Sequence, residues 1–220
     1  MKKTLYLIAL MALIFVLWPY PLLYPVKLLV VFFHEASHAL ATVLSGGSVE
    51  ELVIVKGQGG YVLSHGGNRF VILSAGYLGS LAFGALIYVL AVKSRHDRMI
   101  MSILAFTVIL ITVLYANSLF SRAFGFATGC SMLAAAYYLN RSTNDFLLRL
   151  IALTNLMYVP LDIYSDTIQR PAIQSDASLL AREFGGTASI WGLIWLCLSL
   201  LLIGLCLSWS LKPGRKFKRR

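Results

Sequence analysis

The stretch Val30–Leu44, VVFFHEASHALATVL, decides how this chain is read. It places His34, Glu35 and His38 in a run that is otherwise almost wholly apolar. Residues i and i+4 of a helix share a face, so the two imidazoles can grip one ion. Glu35, one residue past the first imidazole, can reach a water held on that ion and act as its general base. Neutral imidazole is a common zinc ligand, and a catalytic zinc site leaves a coordination position open for water. On a soluble helix the same string can be a surface accident. In a membrane-length apolar segment, two histidines and a glutamate are costly unless they serve one another or a ligand.

The rest of the chain supports the membrane setting. Of its 220 residues 59% are hydrophobic and only 13% are charged, with a mean hydropathy of +0.78. A single soluble core cannot absorb that share, whereas several membrane spans can. The net charge is +10, but the basic residues gather at the ends of apolar runs and in the tail. That pattern suits membrane orientation and anionic lipid, not nucleic acid. Cys130, Cys197 and Cys206 lie in apolar runs without a C-x-x-C spacing and read as small hydrophobes.

The expected architecture is an all-α polytopic membrane protein of about six to seven transmembrane helices, with a short β-hairpin after the metal-motif helix. Residues 1–25 form an N-terminal membrane segment, 26–211 one multi-span domain and 212–220 a basic tail. Lys2 and Lys3 precede an apolar run that resembles a signal-peptide core, but no small-x-small cleavage site follows. Trp18, Tyr20 and Tyr24 read as an interfacial group, and Pro19, Pro21 and Pro25 break the helix. A retained first span is expected. The metal-motif helix covers 26–45 and stops at Gly46 and Gly47. Leu52–Val55 and Tyr61–Leu63, joined by KGQGG, read as the hairpin. Its edge either pairs with an extended substrate strand, through Val53 and Val55, or is a plain connection.

Further spans are expected at 69–92, 99–117, 119–139, 147–165 and 188–211. Small residues at Ala75, Gly79, Ser80 and Gly84, and at Gly125 and Gly129, permit close helix contact in lipid. The basic loops 93–98 and 141–149 and the tail should share one face, the cytosolic one. Seven full spans would put Lys2 and Lys3 opposite them, so one segment is re-entrant or the first two form a hairpin. Nothing in the sequence sets an oligomeric state.

A third ligand must come from elsewhere in the chain. Of the nine acidic residues, Asp162 is the leading candidate. It lies in the apolar NLMYVPLDIY, just after Pro160, where a lone carboxylate needs a partner. Asp166, one turn on, and Asp176, in the polar QSDAS stretch, are the alternatives. Asp176 could instead cap the next helix.

At these residues the chain resembles the site-2 protease family of intramembrane zinc metallopeptidases, and within it the small M50B-like branch. HEASH, GGYVLSHGG, SAGYLGSLAFGAL, PLDIYSDTI, SDASLLAREFGG and WGLIWLCLSL look like that branch, in the same order, over roughly residues 30–200. The resemblance implies that His34 and His38 bind Zn2+, that Glu35 is catalytic and that Asp162 is the acidic ligand. It also implies that Asn155 contacts substrate. The family usually has Leu-Asp-Gly where this chain has Leu161, Asp162 and Ile163, and its Asn-to-Pro spacing differs. No inserted PDZ-like or CBS-like domain is present. The function expected is hydrolysis of transmembrane protein substrates within the lipid bilayer. A non-catalytic membrane protein that keeps the zinc site is the alternative. A transporter is disfavoured, because neither repeated halves nor paired broken helices are found.

Overall fold

A computed structural model describes residues 2–169 and 175–211 of the chain. The basic tail at 212–220 lies outside the described residues. Helix α1 (Lys2–Leu17) stops before the Trp18–Pro19 break, and one 3-10 turn leads directly into α2 (Tyr24–Leu44). Strands β1 (Ser48–Val55) and β2 (Gly59–His65) follow. Then come α3 (Arg69–Lys93), α4 (Asp97–Tyr115), α5 (Leu119–Tyr138) and α6 (Arg141–Tyr164), a short α7 (Asp176–Phe184) and finally α8 (Ala188–Leu211). Asn68, Ser118, Asn140 and Ser175 cap their helices with side-chain oxygens, each satisfying a backbone N–H that has no partner within the helix.

Six of these helices are long and apolar enough to cross a membrane: α2, α3, α4, α5, α6 and α8. The chain is thus an all-α polytopic protein carrying one hairpin. Helix α1 contains the shorter apolar helical stretch Ile8–Leu17. Alternating crossings by these six helices put the α3–α4 connection, the α5–α6 connection and the end of α8 on one face.

The metal-motif helix is the most enclosed of the six. In its apolar window 78% of residues are buried, against 22% for α8. Helices gain little hydrophobic energy from meeting in lipid, so close packing of small residues must hold them together. Gly79 lies on Ser37 of α2, Gly84 on Asn155 of α6, and Gly125 and Gly129 on Thr112 and Ile109 of α4. The contacts at Gly79, Gly125 and Gly129 leave no room for a Cβ, and the one at Gly84 is tight. Lys27 is buried in α2, and its Nζ donates to the Trp18 carbonyl at 2.9 Å and sits 5.0 Å from that ring's centroid. These contacts keep the charge partnered.

The hairpin is longer than the sequence suggested and folds back along α2. Its turn, Lys56–Gln58, is tied down by Tyr24, whose hydroxyl donates to the Lys56 carbonyl at 2.8 Å. Gln58 takes the left-handed conformation (φ 61) instead of a neighbouring glycine. The outer edge of β1 is covered. Leu52 pairs with Ala116. Ile54 N–H donates to Ser121 Oγ at 2.8 Å, and the same hydroxyl donates back to the Ile54 carbonyl at 3.3 Å. Ser121 is thus one side chain satisfying two buried backbone groups. Ser121→Ala is expected to destabilise the protein by about 1–3 kcal/mol, read as a lower thermal unfolding midpoint in detergent.

Candidate metal centre

Helical spacing alone brings His34 and His38 together, with ring centroids 4.9 Å apart. The long-range partner is Asp176. Its Oδ2 lies 3.1 Å from His34 Nε2 and 3.1 Å from His38 Nε2. Among the described residues, these three form the one group of His, Cys, Asp or Glu side chains close enough to hold a metal ion. Ligands about 2.0–2.2 Å from a tetrahedral zinc lie about 3.3 Å from one another, so the spacing fits. His38 Nδ1 donates to the Ile72 carbonyl at 2.7 Å, which leaves Nε2 as the lone-pair nitrogen facing the group.

Gly76 of α3 supplies the space. A Cβ built there would lie within 2.6 Å of His34 Nε2, His38 Nε2 and Asp176 Oδ2 at once. The missing side chain therefore leaves a cradle enclosed by two nitrogens and one carboxylate oxygen, a donor set that suits zinc. Next to it, Tyr77 packs its ring against His34 with centroids 4.9 Å apart and donates its hydroxyl to Asp166 at 2.6 Å.

Glu35 is buried on the same helix and lies against β2. A Cβ at Gly60 would be 2.8 Å from both Glu35 Cγ and Glu35 Oε1. Glycine at 60 is what lets the strand rest on this carboxylate. Because Leu52 and Ile54 turn their backbone groups outward from β1, their partners Val62 and Gly60 turn theirs outward from β2. That second edge borders a cavity of about 510 Å³, which also holds Glu35, both histidines and Asp176.

A family model described as Peptidase M50B-like matches residues 7–206. The chain belongs to that family. No curated protein and no solved structure matches it. Family membership agrees with the resemblance seen in the sequence and supports an intramembrane metalloprotease at the family level.

Within this M50B-like chain, several residues singled out in the sequence sit elsewhere than expected. Asp162 lines the cavity but is not in the metal group. Despite Pro160, α6 continues through to Tyr164. Asp166 holds Tyr77 and does not approach the imidazoles as a member of that group. Asp176, the alternative from the polar stretch, is the carboxylate the fold delivers. It does not cap α7. Ser175 does, in a reciprocal pair with Ser178. Asn155 is buried away from the cavity, donating to the Ser80 carbonyl at 2.9 Å. It joins α6 to α3. Val53 and Val55 sit on β1, whose outer edge is occupied, and neither lines the cavity. The strand beside the site is β2. Gly76 and Tyr77 were not singled out in the sequence, although both lie in the SAGYLGS stretch.

Two outcomes are expected from zinc content measured on purified protein. Asp176→Ala should lose the ion while Asp162→Ala keeps it. Gly76→Ala should also lose it, with helical content by circular dichroism unchanged, because its methyl group fills the cradle.

Proposed function

We propose that this chain is a zinc metalloendopeptidase that cleaves membrane-embedded protein substrates with His34, His38 and Asp176 as zinc ligands and Glu35 as general base. The observation that supports it best is the placement of Glu35 between the donor cluster and the open edge of β2. When bound, zinc supplies Lewis acidity to the scissile carbonyl and to the attacking water. A substrate segment, unwound from its helix, lies along β2 and bonds to the outward N–H and C=O groups of Gly60 and Val62. That contact brings its backbone next to Glu35. The Glu35 carboxylate takes the proton of the attacking water and passes it to the departing amine nitrogen. The His38–Ile72 bond and the Tyr77 ring keep the imidazoles oriented. The cavity contributes the water that hydrolysis inside a bilayer requires.

Orientation follows from charge. Lys93, Arg95, Arg98, Arg141 and Arg149 lie at the two connections on the same face as the end of α8. We assign that face to the cytosol. Helix α7, which carries Asp176, then lies toward the opposite face.

Two substitutions test separate parts of this reading. Glu35→Gln should keep its zinc and lower cleavage of a model transmembrane substrate by about 10²–10⁴-fold. Cleavage near the wild-type rate would refute the role given to Glu35. Val62→Pro removes one outward N–H and leaves the hairpin's internal bonds intact. It should raise KM with zinc content unchanged.

A further inference from the structure

This inference rests on Asp176 as the third ligand. That residue opens α7, a helix of nine residues joined to α8 through Gly185 and Gly186, both at positive φ (88 and 83). A two-glycine turn contributes little stiffness, so α7 must be held by its contacts. Ala177 and Leu180 are fully buried beneath it, but apolar burial has no direction and does not fix how far a helix slides.

The far end of α7 is held differently. Glu183 and Arg69 meet as a two-point fork, Nη2–Oε1 at 2.8 Å and Nε–Oε2 at 3.2 Å. Phe184 sits edge-on to Phe70 at 5.4 Å, and Phe70 packs on Trp191 at 5.8 Å. Trp191 Nε1 donates to the Gly185 carbonyl at 3.0 Å.

The spacing on the two helices is matched. Arg69 and Gly76 are seven residues apart on α3 (76 − 69), and so are Asp176 and Glu183 on α7 (183 − 176). Seven residues are two turns, about 10.5 Å. Helix α7 therefore runs antiparallel along the first two turns of α3. Asp176 meets the Gly76 cradle at one end, and Glu183 meets Arg69 at the other. A slip of one turn, about 5.4 Å, would take Asp176 out of reach of any ion held by the histidines.

We propose that the Arg69–Glu183 fork and the Phe70–Phe184–Trp191 cluster form a register lock that sets Asp176 at the metal. These are positioning residues, acting through the helix from two turns away. A planar fork is directional where the apolar contacts are not, so it selects one register among those that bury Ala177 and Leu180. Arg69 lines the cavity but is not one of the metal donors, so the lock can be altered without changing a ligand, and the uncharged Phe184 separates register from any direct effect of the Arg69 charge.

The test is zinc affinity of the full chain in detergent, by competition with a chelator. The cobalt-substituted protein's visible spectrum serves as a second readout of ligand number. Arg69→Glu and Glu183→Arg should each weaken zinc binding about tenfold, the low end of the effect known for residues that support metal ligands from behind. Each should also reduce the intensity of the four-coordinate cobalt spectrum. The double variant, which restores an opposite-charge pair, should return affinity to within about threefold of wild type. Phe184→Ala, with no change in charge, should weaken binding in the same direction. Wild-type affinity in both single charge variants would overturn the lock, and so would weakened binding that the double variant fails to recover. Asp176→Ala is measured alongside. If it binds zinc like wild type, the ligand assignment itself fails. If it loses zinc while the fork variants do not, only the lock fails.

Discussion

Ionisable side chains in the lipid-embedded part of a protein must satisfy one another. His34, Glu35 and His38 sit near the middle of α2, where each unpartnered charge is expensive. The fold answers by giving α2 the most enclosed position in the bundle and bringing to it a carboxylate, a backbone carbonyl and a strand edge. The tight glycine contacts of α3 follow from the same demand. Gly76 admits the donor cluster, and Gly79 lets α3 approach Ser37 closely enough for that cluster to close.

What the sequence made legible was local. The i, i+4 pair of histidines, the intervening glutamate, the six apolar spans and the presence of a hairpin each depend on neighbours a few residues apart. The third ligand depends on a contact between residues 34 and 176. The argument that a lone carboxylate in an apolar helix needs a partner pointed to Asp162, which lines the cavity without joining the metal group. Helix α7 escaped notice because it is short, lies in a polar stretch and starts with a Ser–Ser reciprocal cap in place of the usual Ser with Glu or Gln.

Gly76 and the hairpin edge were hidden for a related reason. Reading α3 for small residues identified positions that permit helix contact. Only the packed structure shows which glycine faces the donors. The β-rich runs joined by KGQGG located both strands, but they could not say that α4 and α5 cover one edge through Ala116 and Ser121. Asn155 illustrates the converse. A polar side chain in a late span invited a role at the site, and the fold uses it as a bridge between α6 and α3.

The hairpin's one-sidedness carries a consequence of its own. With β1 sealed, any chain that joins this ribbon must add beside β2. Side chains of an added strand alternate between its two faces. Every second residue of the incoming chain would then face the floor of the site around Glu35, and those between would face away from it. Selectivity built on such an arrangement is periodic: it reads a substrate in steps of two residues and is indifferent to the ones it skips.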